Sequence, residues 1–267
     1  MANEPRTAGA DGEVRLSLRD GIAALVFDRP AARNAMTWSM YEQLAAHCER
    51  LASMAGEVRA VTMRGAGGKA FVAGTDIAQF AGFQGGDDGI SYERRIDAGI
   101  AQLASLPMPT LAVVDGWAVG GGLAIATACD FRIATPQAKF GVPIARTLGN
   151  CLSIANLARL RDAFGTQRTK RMLMLGEVLD AHEALASGFL HRLCEADAID
   201  AEVAAWCAAA TALAPLTQQV SKEGLRRLAV HALPDGDDLV RRCYGSADFK
   251  EGVAAFMAGR PAQWQGR

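Results

Sequence analysis

Short apolar runs bounded by turn residues alternate along this chain with longer stretches in which apolar residues recur at helical spacing. Residues 14–18 and 22–27 are two such runs, joined across the hairpin signal Asp20-Gly21, and Asp28-Arg29-Pro30 closes the second. Thr37 or Ser39 then caps a helix, Ser39 and Glu42 standing at capping-box spacing. Along it Met40, Leu44, Cys48 and Leu51 form one buried stripe. A third strand is predicted over 58–63, followed by a glycine-broken loop that ends at Asp76. The span 77–106 reads as helix in two pieces, interrupted by the polar run GGDDG at 85–89. Residues 110–114 read as a buried strand, Asp115-Gly116 as a turn, and 120–129 as an Ala-rich helix opened by three glycines. Strand-like segments follow at 131–134 and 139–141. From Ser153 onward helical patterning dominates, through 181–184 and 201–212 to a last helix over 247–258.

Strands alternating with helices predict an α/β core. At 267 residues the chain can bury one sizeable core, and no low-complexity linker divides it. The expected organisation is a loose tail over 1–12, a core over 13–200, and a helical region over 201–267. Phe249, Val253 and Phe256 give that last region one side for packing on the core or on a neighbouring subunit.

Composition excludes several classes. A formal net charge of -1 argues against a nucleic-acid surface, which needs a clustered basic excess. The pairs Arg94-Arg95, Arg226-Arg227 and Arg241-Arg242 are scattered among acids and read as solvated faces, one or two of them open to an anionic small molecule. Six cysteines without a CxxC read as reduced thiols, and the four histidines form no HExxH, so no metal is expected. The N-terminal stretch lacks the apolar core of a signal peptide, and no apolar run reaches the roughly 20 residues of a membrane span. A cytoplasmic protein without membrane or nucleic-acid partners is expected.

The candidate chemistry lies in two glycine junctions. Gly120, Gly121 and Gly122 open a helix directly after a strand, where N–H groups lack intrahelical partners and welcome a negative oxygen. The run Phe71-Val72-Ala73-Gly74-Thr75-Asp76 is a second strand-to-helix junction. Amides from two such junctions can converge on one carbonyl oxygen, as an oxyanion hole requires. Nucleotide binding through Gly65-Ala66-Gly67-Gly68-Lys69 fails on spacing, with neither GxGxxG nor GxxxxGK[ST] present.

With these stand further landmarks in order. They are Arg29-Pro30 with Asn34-Ala35, Cys129-Asp130-Phe131-Arg132-Ile133-Ala134, Phe140-Gly141-Val142-Pro143, Ala184-Leu185-Ala186-Ser187-Gly188, and Asp248, Glu251-Gly252, Phe256 and Arg260-Pro261. From about Glu13 to Gly266 the chain resembles the enoyl-CoA hydratase/isomerase (crotonase) superfamily. That resemblance implies a spiral of ββα units with a C-terminal helical trimerisation region, and a homotrimer or a dimer of trimers. It also implies an acyl-CoA thioester as ligand, with no cofactor beyond the substrate's coenzyme A. The two oxyanion amides map by motif onto Thr75 and Gly121. Ala73, Gly74, Asp76, Ile77, Ala78, Trp117, Gly120, Ala124 and Ile144 map to the substrate lining. Losing one such amide donor costs ~10²–10³ in rate, or about 3–4 kcal/mol.

The departures matter as much. Hydratases of this family carry one glutamate two residues after the triple glycine and another directly after the Phe-Gly-x-Pro motif. Here those positions are Ala124 and Ile144. Neither side chain transfers a proton, so two-glutamate hydration is not expected, and a single-carboxylate isomerase using the second position has no support. The expected chemistry is isomerisation, decarboxylation, carbon–carbon cleavage or slow hydration through an enolate-like thioester; a non-catalytic acyl-CoA binder is the alternative. Arg146 is a candidate for a substrate carboxylate or for a surface ion pair. Asn150 and Cys151 precede a helix, where a thiol pKa can be lowered, and a buried inert thiol is the other reading of Cys151. Asp76 reads as a helix cap, Asp130 as binding backbone or Arg132, and Trp117 as packing or substrate wall. Tyr244 and Glu93 are acid–base groups only if the chain folds them over the pocket.

Overall fold

The computed structural model describes residues 11–266; of the expected tail, residues 1–10 lie outside it. Strand β1 (Glu13–Arg19) pairs antiparallel with β2 (Ile22–Asp28). Helix α1 (Trp38–Ser53) is capped by Thr37, whose hydroxyl accepts from Met40 N–H at 3.2 Å. Ser39 instead accepts from Gln43, and Glu42 pairs with Arg95, so the capping-box spacing is not used.

Three successive units then each place one strand in each of two sheets and return through helix. The first is β3 (Ala60–Gly65), β4 (Ala70–Ala73) and α2 (Gly86–Ala104). The second is β5 (Thr110–Val114), β6 (Trp117–Val119) and α3 (Gly121–Ala128). The third is β7 (Phe131–Ala134), β8 (Lys139–Gly141), a short α4 (Ile144–Thr147) and α5 (Ile154–Met174). After β9 (Val178–Asp180), α6 (Ala181–Ala186) and β10 (Arg192–Leu193) the chain is helical: α7 (Ile199–Thr211), α8 (Pro215–Ala229), α9 (Asp237–Tyr244) and α10 (Ala247–Met257). The six-stranded sheet runs β1-β2-β3-β5-β7-β10, parallel from β2 onward, and the four-stranded sheet runs β4-β6-β8-β9 with only β9 antiparallel. This is the ββα spiral of the crotonase fold.

Every residue of β5 is buried because both of its faces are covered. Ala112 and Val114 join Val61 and Met63 in the main core, while Leu111 and Val113 pack with Ile133 under Trp206 of α7.

Two expectations shift. The first helical piece after Asp76 is a single 3-10 turn, Ile77–Phe80. The polar run at 85–89 is no interruption but the start of α2, where Asp88 reaches back to accept from Gln84 N–H at 2.7 Å and Gly85 N–H at 3.0 Å. Two of its glycines serve packing: a Cβ at Gly86 would lie 2.2 Å from Arg241 O and one at Gly89 2.2 Å from the Tyr244 ring, so α9 can close onto α2 only over a bare backbone. Phe249 and Val253 of α10 are buried as expected, with Phe249 against Phe80 and Tyr244, whereas Phe256 is exposed.

Candidate active site

The loop after β2 fixes the first glycine junction. Buried Asn34 accepts from Arg29 N–H at 2.9 Å and donates to the carbonyls of Ala66 (3.0 Å) and Ala70 (2.9 Å). Met36 is thereby held beside Gly74 and Asp76: its N–H donates to Gly74 O at 2.8 Å and its carbonyl accepts from Asp76 N–H at 2.9 Å. A parallel bridge of this kind uses residues 74 and 76 and turns the Thr75 N–H away from Met36. Helix α3 approaches there. A Cβ at Gly122 would stand 1.9 Å from Val72 O, and one at Gly121 3.3 Å from Thr75 Oγ1, so only glycines allow the two junctions to meet. Among the described residues neither Thr75 N–H nor Gly121 N–H donates a hydrogen bond, Gly121 being the first residue of α3.

Thr75 is locked by two phenols. Its Oγ1 lies 2.8 Å from Tyr41 Oη and 2.9 Å from Tyr92 Oη. Burial pushes the Tyr41 hydroxyl up to about 12 and raises that of Tyr92, so both stay neutral partners.

The junctions open into a cavity of about 350 Å³. Its wall is mostly apolar, from Ile77, Phe80, Ile96, Ala124, Ile144, Leu148 and Phe256, with Trp117 and Arg33 at exposed positions. A larger groove of about 510 Å³ between residues 104–107 and α8 contains none of the junction residues.

Among the described residues one carboxylate lines the cavity, Glu93 of α2, and it is 4% exposed. Tyr244 O–H donates to its Oε1 at 2.7 Å and Ser153 N–H to its Oε2 at 2.9 Å. Asn150 Nδ2–H donates in turn to Tyr244 Oη at 3.2 Å. Burial pushes the Glu93 carboxyl up to about 7, against the lowering by its bonds from Tyr244 and Ser153, with the charge of Asp97 adding to the rise. A carboxyl balanced near neutrality in an apolar cavity can give or take a proton at physiological pH.

Most residues expected in the site are brought together. Ala73, Gly74, Thr75, Ile77, Trp117, Gly120, Gly121, Ala124, Ile144 and Asn150 all line the cavity. Asp76 and Ala78 do not: the Asp76 carboxylate accepts from Ala78 N–H at 3.0 Å, capping the 3-10 turn, and binds Arg29 at 2.7 Å. Arg146 is exposed beside Gly176, off the cavity wall. Cys151 is likewise outside the lining, and a hydrogen bond with Cys243, together with burial, raises its thiol pKa rather than lowering it. Asp130 accepts from the N–H and the hydroxyl of Thr110 and pairs with Lys222 at 2.7 Å; Arg132 touches only its carbonyl. Of the two groups sequence left unplaced, Glu93 stands on the cavity wall and Tyr244 behind it, donating to its carboxyl. The legible signal was a glutamate within the apolar stripe Ile90, Ile96, Ile100 and Leu103 of α2.

An apolar cavity with two unpaired amides at one wall and a single titratable carboxyl defines a class of site, one suited to holding a carbonyl oxygen and moving one proton. The chain belongs to the enoyl-CoA hydratase/isomerase family, whose family model matches residues 17–267. It is 30% identical over 250 residues to a probable enoyl-CoA hydratase of Mycobacterium bovis, covering 92% of this chain and 95% of the relative. An enoyl-CoA hydratase/carnithine racemase from Magnetospirillum magneticum is 32% identical with a TM-score of 0.78, over 95% of this chain and 96% of that one. A methylmalonyl-CoA decarboxylase solved with 2-nitronate-propionyl-CoA is 25% identical with a TM-score of 0.86, over 95% and 98%. Among the described residues no helix alone is long and apolar enough to cross a membrane, and no group of His, Cys, Asp or Glu could hold a metal ion.

Proposed function

We propose that this protein takes an acyl-CoA thioester, holds its carbonyl oxygen between the amides of Thr75 and Gly121, and forms an enolate that Glu93 protonates. The observation that carries this reading is the single near-neutral carboxyl, Glu93, in the cavity that the two unpaired amides share. Decarboxylation of a 2-carboxyacyl-CoA asks least of such a site. The bond from C2 to the carboxylate breaks, carbon dioxide leaves, and the electron pair moves onto the thioester oxygen between the amides. C2 then takes the proton of Glu93, leaving the acyl-CoA one carbon shorter. Water addition across a double bond asks for a positioned water and a second carboxyl, which Ala124 and Ile144 cannot supply. The likeness to methylmalonyl-CoA decarboxylase supports the same choice.

Incubation with methylmalonyl-CoA and malonyl-CoA in D₂O, read by mass spectrometry, tests the reading. Deuterium at C2 of the shortened acyl-CoA is expected; crotonyl-CoA hydration at the rate of ordinary hydratases, without decarboxylation, would overturn it. A binder without turnover is the second reading, favoured by Ala124 and Ile144, and predicts affinity with no product from any acyl-CoA. A homotrimer or dimer of trimers is proposed on the exposed apolar residues of α8, Leu216, Val220, Leu225 and Leu228. Light scattering of the purified protein measures it.

A further inference from the structure

Decarboxylation through a single acid has a bookkeeping consequence: each turnover consumes one proton and leaves Glu93 as a carboxylate. The acid must be reloaded before the next enolate forms, while an acyl-CoA fills the cavity that Glu93 faces. The structure offers another way in. Glu93 also lines a second cavity, of about 190 Å³, between α2, the start of α5 and the N-terminus of α9. At roughly 30 Å³ per liquid water, this space is large enough for several waters to link polar groups on its wall.

Asp97 stands on that wall, one helical turn after Glu93 and on the same face of α2. Where Glu93 is 4% exposed, the Asp97 side chain is 25% exposed, so the pair spans from the buried acid to the outside. Ser153 ties the two together: its N–H donates to Glu93 Oε2 at 2.9 Å and its hydroxyl donates to Asp97 Oδ1 at 2.9 Å. That hydroxyl also caps α5 by accepting from Asn156 N–H at 3.1 Å, which leaves it no spare proton and makes cavity water the carrier. The other charges facing this space are Arg94, Asp235 and Asp237, with Arg94 paired to Asp237, and Arg159 holds Asp97 from α5 at 3.5 Å. Tyr244 faces Glu93 from α9 with its proton committed to that carboxylate.

Resting on the acid role of Glu93 above, we propose that Glu93 is reloaded from solvent through this second cavity, with Asp97 as the relaying carboxylate at its outer end. The proton moves from bulk water or buffer acid to Asp97, then through cavity water to Glu93. No electrons change hands, and one proton enters for each carbon dioxide released. Asp97 touches no substrate; it acts through Glu93.

The test compares wild type with Asp97→Ala, Asp97→Asn and Ala155→Phe, the last filling the second cavity from α5 without adding or removing charge. Turnover of methylmalonyl-CoA and exchange of the C2 protons of propionyl-CoA into D₂O are both followed. All three variants are expected to lose about 10–100-fold in kcat with KM unchanged. In Asp97→Ala, formate or imidazole should restore kcat in proportion to concentration, since either fits the vacated space; a group that only braced the helix would not be replaced this way. Wild-type kcat and exchange in Asp97→Asn and Ala155→Phe would overturn the relay, as would a folded Asp97→Ala that neither buffer rescues. Absence of both turnover and exchange in the wild type would instead overturn the acid role of Glu93, and the relay with it.

Discussion

Replacing Glu93 by glutamine removes the only carboxylate that the described residues place on the wall of the candidate active site, while keeping its shape. Acid–base groups contribute ~10²–10⁴ in rate, about 3–5 kcal/mol of barrier, and no neighbouring carboxylate in this cavity can take over. Decarboxylation and C2 exchange should fall by that factor, with KM changed less than threefold. The pH profile sharpens the test. The wild-type group is a competent acid below about 7, so kcat should be level at low pH and fall tenfold per unit above about 7, whereas the residual rate of Glu93→Gln should be flat. Stability is linked to the same ionisation. The native carboxyl is raised from the ordinary 4.5 to about 7, so its contribution is intact below 4.5 and is lost as pH rises through about 7. The loss amounts to roughly 3 kcal/mol at most. Urea titrations across this window should show a falling slope in wild type that Glu93→Gln lacks. The amide will carry its own fixed cost of about 1–3 kcal/mol: with its oxygen kept on Ser153 N–H its NH₂ faces Tyr244 Oη, which must then accept, and the phenol proton loses its acceptor. Undiminished turnover by Glu93→Gln, or a wild-type profile without an inflection near 7, would refute the acid role.

Other expectations follow from the junctions. Gly121→Ala would put a Cβ 2.5 Å from Tyr41 Oη and push that phenol off Thr75, so kcat should fall at least ~10-fold by displacement of an amide proposed to hold the oxyanion, measured beside an intact circular dichroism spectrum. Thr75→Ala removes the shared partner of the Tyr41 and Tyr92 hydroxyls and should cost about 1–3 kcal/mol in urea unfolding, whereas Tyr41→Phe, which leaves Thr75 paired to Tyr92, should cost only about 1. Ala124→Glu with Ile144→Glu restores carboxyls at two positions that line the cavity; crotonyl-CoA hydration should rise above the parent, and no gain would mean that the cavity lacks hydratase geometry.

Much of this was legible in sequence for physical reasons. The hairpin at Asp20-Gly21, the stripe of α1 and the doubly buried β5 are set by local patterning, and the fold kept them. The glycine junctions could be read because close backbone approach leaves no side chain as an alternative, as Gly122 against Val72 demonstrates. Glu93 could not be located, because its environment is made by Ser153 and Tyr244, 60 and 151 residues away. The run at 85–89 is ambiguous for a related reason: its glycines look like a helix break locally, while Gly86 and Gly89 are the contact surface for α9. Of the two readings of Cys151, the inert thiol is the one that fits, because Cys243 and burial raise its pKa and the nearby helix start does not prevail.

In the proposed complex a thioester carbonyl sits between the amides of Thr75 and Gly121. Isotope-edited infrared spectroscopy of bound [1-¹³C]propionyl-CoA tests it directly. Two amide donors polarise the bond, so the carbonyl stretch should move below its frequency in water on binding and move back up in Gly121→Ala. A stretch at or above the aqueous value, as an apolar wall alone would give, contradicts the account.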